Sequence, residues 1–481
     1  MQQLQRALRL TFFFVFFFSL SAACFARQTI VTGGARTGYD FRDRTYDRNQ
    51  VNSSDDGNVQ KIFIGPTITV VSKGIYDTLN FSYSPQLSHD FDDDTNEVEH
   101  NLQLSNERFL TQKWSLTLSD TFLLSDDPGL TSNYSGATGS TGTNGQTQSN
   151  GQGALSRDLS GRQYWTNAAS VQTSYALAEN SKIGGGYTYT VLRNEEGDVQ
   201  TNDDYDEYDR HTFFTNFSYG FNQNWRSNLG LNYTRGLYDS AGQTSGQGTS
   251  ANTPDLDQYG VDVGLDYVDS AKDFFPLKYS ASETQYDGDT RRDTQVHEWS
   301  AGWDHAFDPQ THLALGGGPS YVKTQGLDGT CGYNAYLTFT KQYQHSSYSL
   351  QFDKRYETDN FSGTDESGVR DTYNARANAA YQLTQALGLD VYGRYSWQSQ
   401  IDPQGDYLSA SSGSFSGSTG DVTYDKNVYE VGAGLRYTFA QWYSAGIKYA
   451  YYVSDGELDS DQYTDHLVLF TLSATKEFWR W

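Results

Sequence analysis

The chain has 481 residues with a formal charge of −25, and 36% of its residues are hydrophobic and 15% aromatic, including 37 Tyr beside 46 Gly and only 8 Pro. That aromatic weight excludes a disordered chain, and the acidic balance excludes nucleic acid as a partner. The two cysteines, Cys24 and Cys331, exclude a disulfide framework or a cysteine-built zinc site.

Residues 1–26 read as a signal peptide for export. Arg6 and Arg9 precede an apolar stretch from Leu10 to Phe25, and Ser21-Ala22-Ala23 supplies small residues for cleavage between Ala23 and Ala26. Its removal takes away two positive charges and no acid, so the balance falls to −27. Leu20-Ser21-Ala22-Ala23-Cys24 also resembles a lipoprotein box, which leaves a lipidated Cys24 as an open alternative. Beyond residue 26 no run approaches the ~18 apolar residues of a membrane helix. Residues 27–481 are therefore expected to form one outer-membrane β-barrel domain.

Period-two alternation carries that expectation. Leu229, Leu231 and Tyr233 share one face, while Asn228, Gly230, Asn232 and Thr234 share the other. The split recurs in Tyr259 to Tyr267, Tyr348 to Asp353 and Leu387 to Tyr392. The second face is polar and often charged, which a packed core would reject and a water-filled lumen accepts. Predicted strands in chain order are 30–42, 59–72, 75–90, 97–111, 114–125, 163–178, 182–194, 208–222, 225–238 and 257–269, then 274–288, 294–307, 311–323, 332–344, 347–359, 370–384, 387–400, 423–439, 442–455 and 463–479. The fold class is thus all-β, a transmembrane antiparallel up-and-down β-barrel of about 20 strands (roughly 18 to 22).

The connections alternate between tight and long. Tight turns fall at 72–74, 111–113, 178–181, 221–224, 308–310, 345–346, 385–386 and 440–441, and long connections at 43–58, 126–162, 195–207, 239–256, 359–369 and 401–422. Short turns at the periplasmic end and long loops outside are the asymmetry of bacterial outer-membrane barrels. The 126–162 stretch, almost wholly Gly, Ser, Thr, Asn and Gln, reads as a solvated spacer, with a gate dipping into the pore as its alternative. Trp114, Trp225, Trp442 and Tyr348 each follow a tight turn, the place of an interfacial aromatic girdle. The last strand closes on Phe478-Trp479-Arg480-Trp481, similar to the aromatic-ended terminal strands that the barrel assembly machinery reads.

Thr69 to Pro128, with paired strands leading into Leu118-Ser119-Asp120-Thr121-Phe122-Leu123-Leu124-Ser125-Asp126-Asp127-Pro128, resembles the β-barrel porin type 2 family, outer-membrane barrels associated with exopolysaccharide systems. The hairpin cadence through to the C-terminus shares that style. The resemblance implies a pore or export conduit, with polysaccharide or periplasmic export partners, and it brings no catalytic motif.

Nothing in the chain assembles an active site. The eight histidines, at 89, 100, 211, 297, 305, 312, 345 and 466, lack metal-ligand spacing, and no Gly-x-Ser-x-Gly elbow or phosphate loop is present. We expect no enzyme, cofactor or metal. The acidic clusters at Asp92 to Asp94, Asp203 to Asp209 and Asp455 to Asp461 lack calcium-loop spacing and read as solvated, self-repelling loops, with Ca²⁺ or Mg²⁺ binding as the sharper alternative.

The alternation directs Arg355, Arg376, Arg394, Arg436 and Lys448 inward from five successive strands, together with Asp353, Asp390 and Glu430. These eight are the candidate pore-lining residues. They would select charged solutes, or instead pair with one another to stiffen the wall. The expected function is a porin-like channel for hydrophilic solutes or exopolysaccharide export in a Gram-negative outer membrane. A sheath around a partner such as an electron-transfer cytochrome is the alternative reading.

Overall fold

The computed structural model describes residues 27–46, 58–92, 94–125, 163–194, 207–238, 254–288, 291–361, 368–401, 424–456 and 462–481. The expected signal peptide, Cys24, the 126–162 connection and much of the acidic clusters lie outside these residues.

Twenty strands follow one another: β1 (Gln28–Tyr46), β2 (Val59–Lys73), β3 (Asp77–Asp90), β4 (Thr95–Phe109), β5 (Trp114–Ser125), β6 (Tyr164–Ala178), β7 (Ser181–Asn194), β8 (Tyr208–Gly220), β9 (Trp225–Tyr238) and β10 (Leu256–Val268). The second half holds β11 (Asp273–Tyr286), β12 (Thr294–Asp308), β13 (Thr311–Thr324), β14 (Thr330–Gln342), β15 (Ser346–Asp359), β16 (Gly368–Gln382), β17 (Leu387–Ile401), β18 (Tyr424–Phe439), β19 (Tyr443–Gly456) and β20 (Tyr463–Arg480). Each pairs antiparallel with its neighbours in sequence, and β1 pairs with both β2 and β20, so the sheet closes and leaves no edge. The backbones of Thr29 and Trp481 exchange hydrogen bonds of 2.9 and 3.1 Å across the seam. At its other end the seam is clamped by Arg44, whose guanidinium lies 2.7 Å from Asp465 and over the ring of Tyr463.

The tight turns have a common chemistry. Thr111 Oγ1 accepts the backbone N–H groups of Lys113 and Trp114 at 3.2 and 3.1 Å, and Asn222 Oδ1 accepts those of Asn224 and Trp225 at 2.8 and 2.9 Å. Ser270 and Thr384 do the same for Lys272 and Asp273 and for Ala386 and Leu387. A short polar side chain thus satisfies the two backbone donors that a hairpin leaves over, which fixes the strand register.

Cross-strand partners share a face, so away from the long-loop end of β15 and β16 the ladders assign strand residues to the lumen or the exterior. On β10, Val261, Val263 and Leu265 are exposed outside while Asp262 and Asp266 alternate with them inside. Leu229 and Leu231, Leu277, Trp299, Leu350, Val391, Val431, Ile447 and Phe470 are exposed on the same outer surface. Apolar residues outside and polar residues inside invert a water-soluble core and suit a bilayer around an aqueous lumen. Trp114, Trp225 and Tyr348 lie exposed on the outer face at the tight-turn end, and Trp442 is exposed at the same end.

Four of the histidines belong to a second outer belt. Tyr83 and His100, Tyr187 and His211, Tyr279 and His297, and Tyr449 and His466 are hydrogen-bonded at 2.9, 2.7, 2.9 and 2.9 Å. Every tyrosine is the seventh residue of a strand rising from a tight turn, and every histidine faces the residue two further along that strand. Strand twist brings such diagonal neighbours together, so histidines far apart in sequence occupy one level of the wall.

Candidate functional site

All eight sequence-derived candidates fall on one face of β15–β19. Arg376 is the direct cross-strand partner of Arg394, which in turn faces Glu430. Asp390 and Lys448 both flank Gly434, and Arg436 sits between Gly388 and Gly446. Asp353 and Arg355 lie two and four residues beyond Gln351, the partner of Arg376. Outside, the alternate positions on these strands are Leu350, Phe352, Val391, Val431, Leu435 and Ile447, which places the charged set on the lumen.

The wall is partly neutralised from within. Arg394 lies 3.7 Å from Glu430, which is buried and accepts the Tyr392 hydroxyl at 2.8 Å. The Lys448 ammonium sits 5.2 Å from the centre of the Tyr392 ring. Arg355 pairs with Glu357 and stands 3.9 Å from Asp353, whose carboxylate also takes the Asn374 amide at 3.2 Å. Among the described residues no ion pair forms at Arg376 or Arg436. Gly388 and Gly446 flank Arg436, and a Cβ at Gly434 would stand 2.7 Å from the Asp390 carboxylate. Other lumen sectors differ: β6–β9 present Ser170, Gln172, Asn216, Asn228 and Asn232, and β10 presents Asp262 and Asp266. The field across the lumen therefore has a direction.

At the long-loop end the wall splits. Pairing of β14 with β15 stops at Ala335–Lys354, whereas β15 and β16 stay paired as far as Asp359–Gly368. The freed end of that hairpin folds inside. Tyr356 packs with Val296 and Val322, which face the lumen, and its hydroxyl lies over Gly332, where any side chain would collide with it. The Tyr356 backbone N–H donates to Glu298 Oε1 at 3.3 Å, on the lumen face of β12. At the split, Lys354 is fully buried between the rings of Tyr333 and Tyr356 and lies 2.9 Å from Asp371.

Beyond the split, Asn360 and Phe361 reach across the lumen to β6–β11. Phe361 is buried among Tyr164, Leu192, Tyr208, Leu256 and Tyr286, with Tyr238 against them. The Arg210 guanidinium is 4.9 Å from its ring centre, the Tyr208 ring meets it edge-on at 5.2 Å, and the Tyr238 ring lies parallel at 6.0 Å. Tyr208 donates to the Phe361 carbonyl at 3.3 Å, Tyr238 to the Asn360 carbonyl, and Tyr286 to Asn360 Oδ1 at 2.7 Å. The approach requires glycine at 236, since a Cβ there would stand 2.8 Å from the Phe361 ring.

The net hold on this tip is small. Burying the ring contributes about 1.5–3 kcal/mol and each neutral hydrogen bond about 0.5–1.5 kcal/mol. Against them, the Asn360 side-chain nitrogen is buried without a partner, which costs about 1–3 kcal/mol, and ordering the backbone of Asn360 and Phe361 costs about 1–2 kcal/mol per residue.

The sequence pattern makes 359–369 an external connection and 126–162 the place of a possible gate. The segment seen inside the lumen is 360–361 of the former, and the latter lies outside the described residues. A signal was present: Tyr164, Leu192, Tyr208, Tyr238, Leu256 and Tyr286 place an apolar residue on the otherwise polar face at the long-loop end of six successive strands. Among the described residues, no three His, Cys, Asp or Glu residues come together as a metal site.

No family model and no curated protein matches the chain, so the likeness of Thr69 to Pro128 to the type 2 porins remains an expectation. Solved structures are similar in outline. Acinetobacter baumannii OccAB4 has 11% identity and a TM-score of 0.40, over 94% of this chain and 99% of its own. Pseudomonas aeruginosa OpdQ has 11% and 0.41, over 94% and 98%. P. aeruginosa OccK2 (OpdF) in complex with glucuronate has 9% and 0.39, over 93% and 96%. Values this low carry nothing about solute or mechanism, and the twenty-strand architecture rests on the pairing ladder itself.

Proposed function

We propose that the chain is an outer-membrane channel, exported by residues 1–26, through which hydrophilic anions diffuse. The observation that carries this reading is the lumenal row Arg376, Arg394, Arg436 and Lys448 inside a closed barrel whose exterior is apolar. Guanidinium and ammonium groups beside water raise the local concentration of anions without binding them tightly, as diffusive passage requires. No covalent step is involved.

Export of an anionic exopolysaccharide uses the same wall and is the narrower form of the proposal, with periplasmic export proteins as partners. The lipid around the barrel and the assembly machinery that reads its terminal strand complete the partners. A sheath around a cytochrome is disfavoured, because the inward-folded β15–β16 end and its contacts with β6–β11 occupy the space such a partner would need.

The test is single-channel recording of the refolded mature chain in a planar bilayer under a salt gradient. Steps with an anion-selective reversal potential, blocked by anionic oligosaccharides, support the reading and its narrower form. Anion-selective steps that those sugars leave untouched limit the reading to small solutes. A folded barrel that stays silent, or one that prefers cations, sinks it.

A further inference from the structure

We infer that the aromatic socket on the lumen rim of β6–β11 is a binding site for aryl carboxylates, held in this structure by the chain's own Phe361 and Asn360, and that such a ligand releases the β15–β16 hairpin. The inference rests on the channel reading for its consequence, the opening of a path, and on the socket's geometry for the binding itself.

The internal occupant defines the ligand. Its ring is gripped on several sides, by Arg210 at 4.9 Å, by Tyr208 edge-on and by Tyr238 in parallel. Among the described residues, the socket's tyrosines contact the occupant by hydroxyls donating to oxygens: Tyr208 to the Phe361 carbonyl, Tyr238 to the Asn360 carbonyl and Tyr286 to Asn360 Oδ1. An aryl ring joined to acceptor oxygens is what this donor set recognises. From the ring of Phe361 to its carbonyl carbon runs the same two-carbon spacer that 3-phenylpropionate carries. A carboxylate carries its charge where the Phe361 carbonyl is neutral, which strengthens the hydroxyl contact that Tyr208 makes there.

The occupant is also exchangeable. The Asn360 side-chain nitrogen is buried and unpartnered in the docked tip, so leaving the socket returns it to water. A free ligand makes no such sacrifice. The wall at Arg376 and Arg394 draws anions into the same lumen, so a ligand of this class meets the socket on its path.

The experiment is titration calorimetry of the refolded full-length mature chain in detergent, with 3-phenylpropionate as probe and propionate as its ringless control. Phe361→Ala empties the socket and should bind 3-phenylpropionate at least ~10-fold more tightly than the native chain, because a site shut for part of the time loses affinity in that proportion. Propionate should bind neither. Gly236→Val, which fills the ring's place, should abolish binding. Should Phe361→Ala fail to refold, as judged by heat-modifiable gel migration, Phe361→Leu takes its place with a smaller gain expected.

Equal affinities for native chain and vacated variant, or no preference for the aryl acid over propionate, overturn the inference. In bilayers, 3-phenylpropionate should raise the conductance of the native chain and not that of Phe361→Ala. Tight binding to a barrel that never conducts leaves the socket standing and ends the channel reading. Conduction with no difference in binding does the reverse.

Discussion

The lumen faces of β16–β19 and of β6–β11 come from the same alternation, yet one stays wet and the other is dry at its rim. On β16–β19 the inward positions are Arg376, Arg394, Arg436 and Lys448, separated by Gly388, Gly434 and Gly446 and open to water. On β6–β11 the inward positions nearest the long loops are Tyr164, Leu192, Tyr208, Leu256 and Tyr286, all of them buried. A lumen-facing position is therefore not polar by rule. It is polar where water fills the space and apolar where the chain folds back to exclude it, and the return of one hairpin decides which.

The largest effects should appear where a dry position is compared with a wet one. Leu256 is completely buried in the socket, and Leu256→Ala should lower the unfolding free energy by about 2–5 kcal/mol, while Arg436→Ala on the open wall should change it by less than about 0.5 kcal/mol. Urea unfolding of both variants in detergent checks the contrast, and equal losses would break it.

Next comes the charge of the wet wall. Arg376→Gln combined with Arg394→Gln should move the reversal potential toward zero in a salt gradient without changing the number of open channels. A selectivity that survives the double substitution assigns it elsewhere. Tyr286→Phe removes one hydroxyl contact to Asn360 and should cost about 0.5–1.5 kcal/mol, seen as faster amide exchange at the tip of β15. The smallest effect is electrostatic screening. From 0.1 to 1 M salt the Debye length falls from about 10 to about 3 Å, so anion preference should weaken gradually while docking of Phe361, which is apolar, holds or strengthens.

How far the sequence reached can be judged from particular residues. The alternation on β16 and β17 is legible because period two is local: Ala375 and Ala377 beside Arg376, and Tyr395 beside Arg394, are enough to tell the two faces apart. The tight turns were legible for the same reason, since Thr111, Asn222 and Thr384 act on backbone groups two and three residues away. The Tyr–His belt was not, because each pair joins two strands through a diagonal that only the pairing register and twist define.

The sequence by itself determined the twenty strands, their two faces and the alternation of short and long connections, because each depends on contacts within a few residues along the chain. Tertiary structure alone decided where the lumen narrows. Phe361 meets Tyr208, 153 residues distant, only because closure at the β1–β20 seam brings β6–β11 within reach of the β15–β16 hairpin. No local pattern states that distance, and burial against a far wall is settled by geometry that exists only after the barrel has closed.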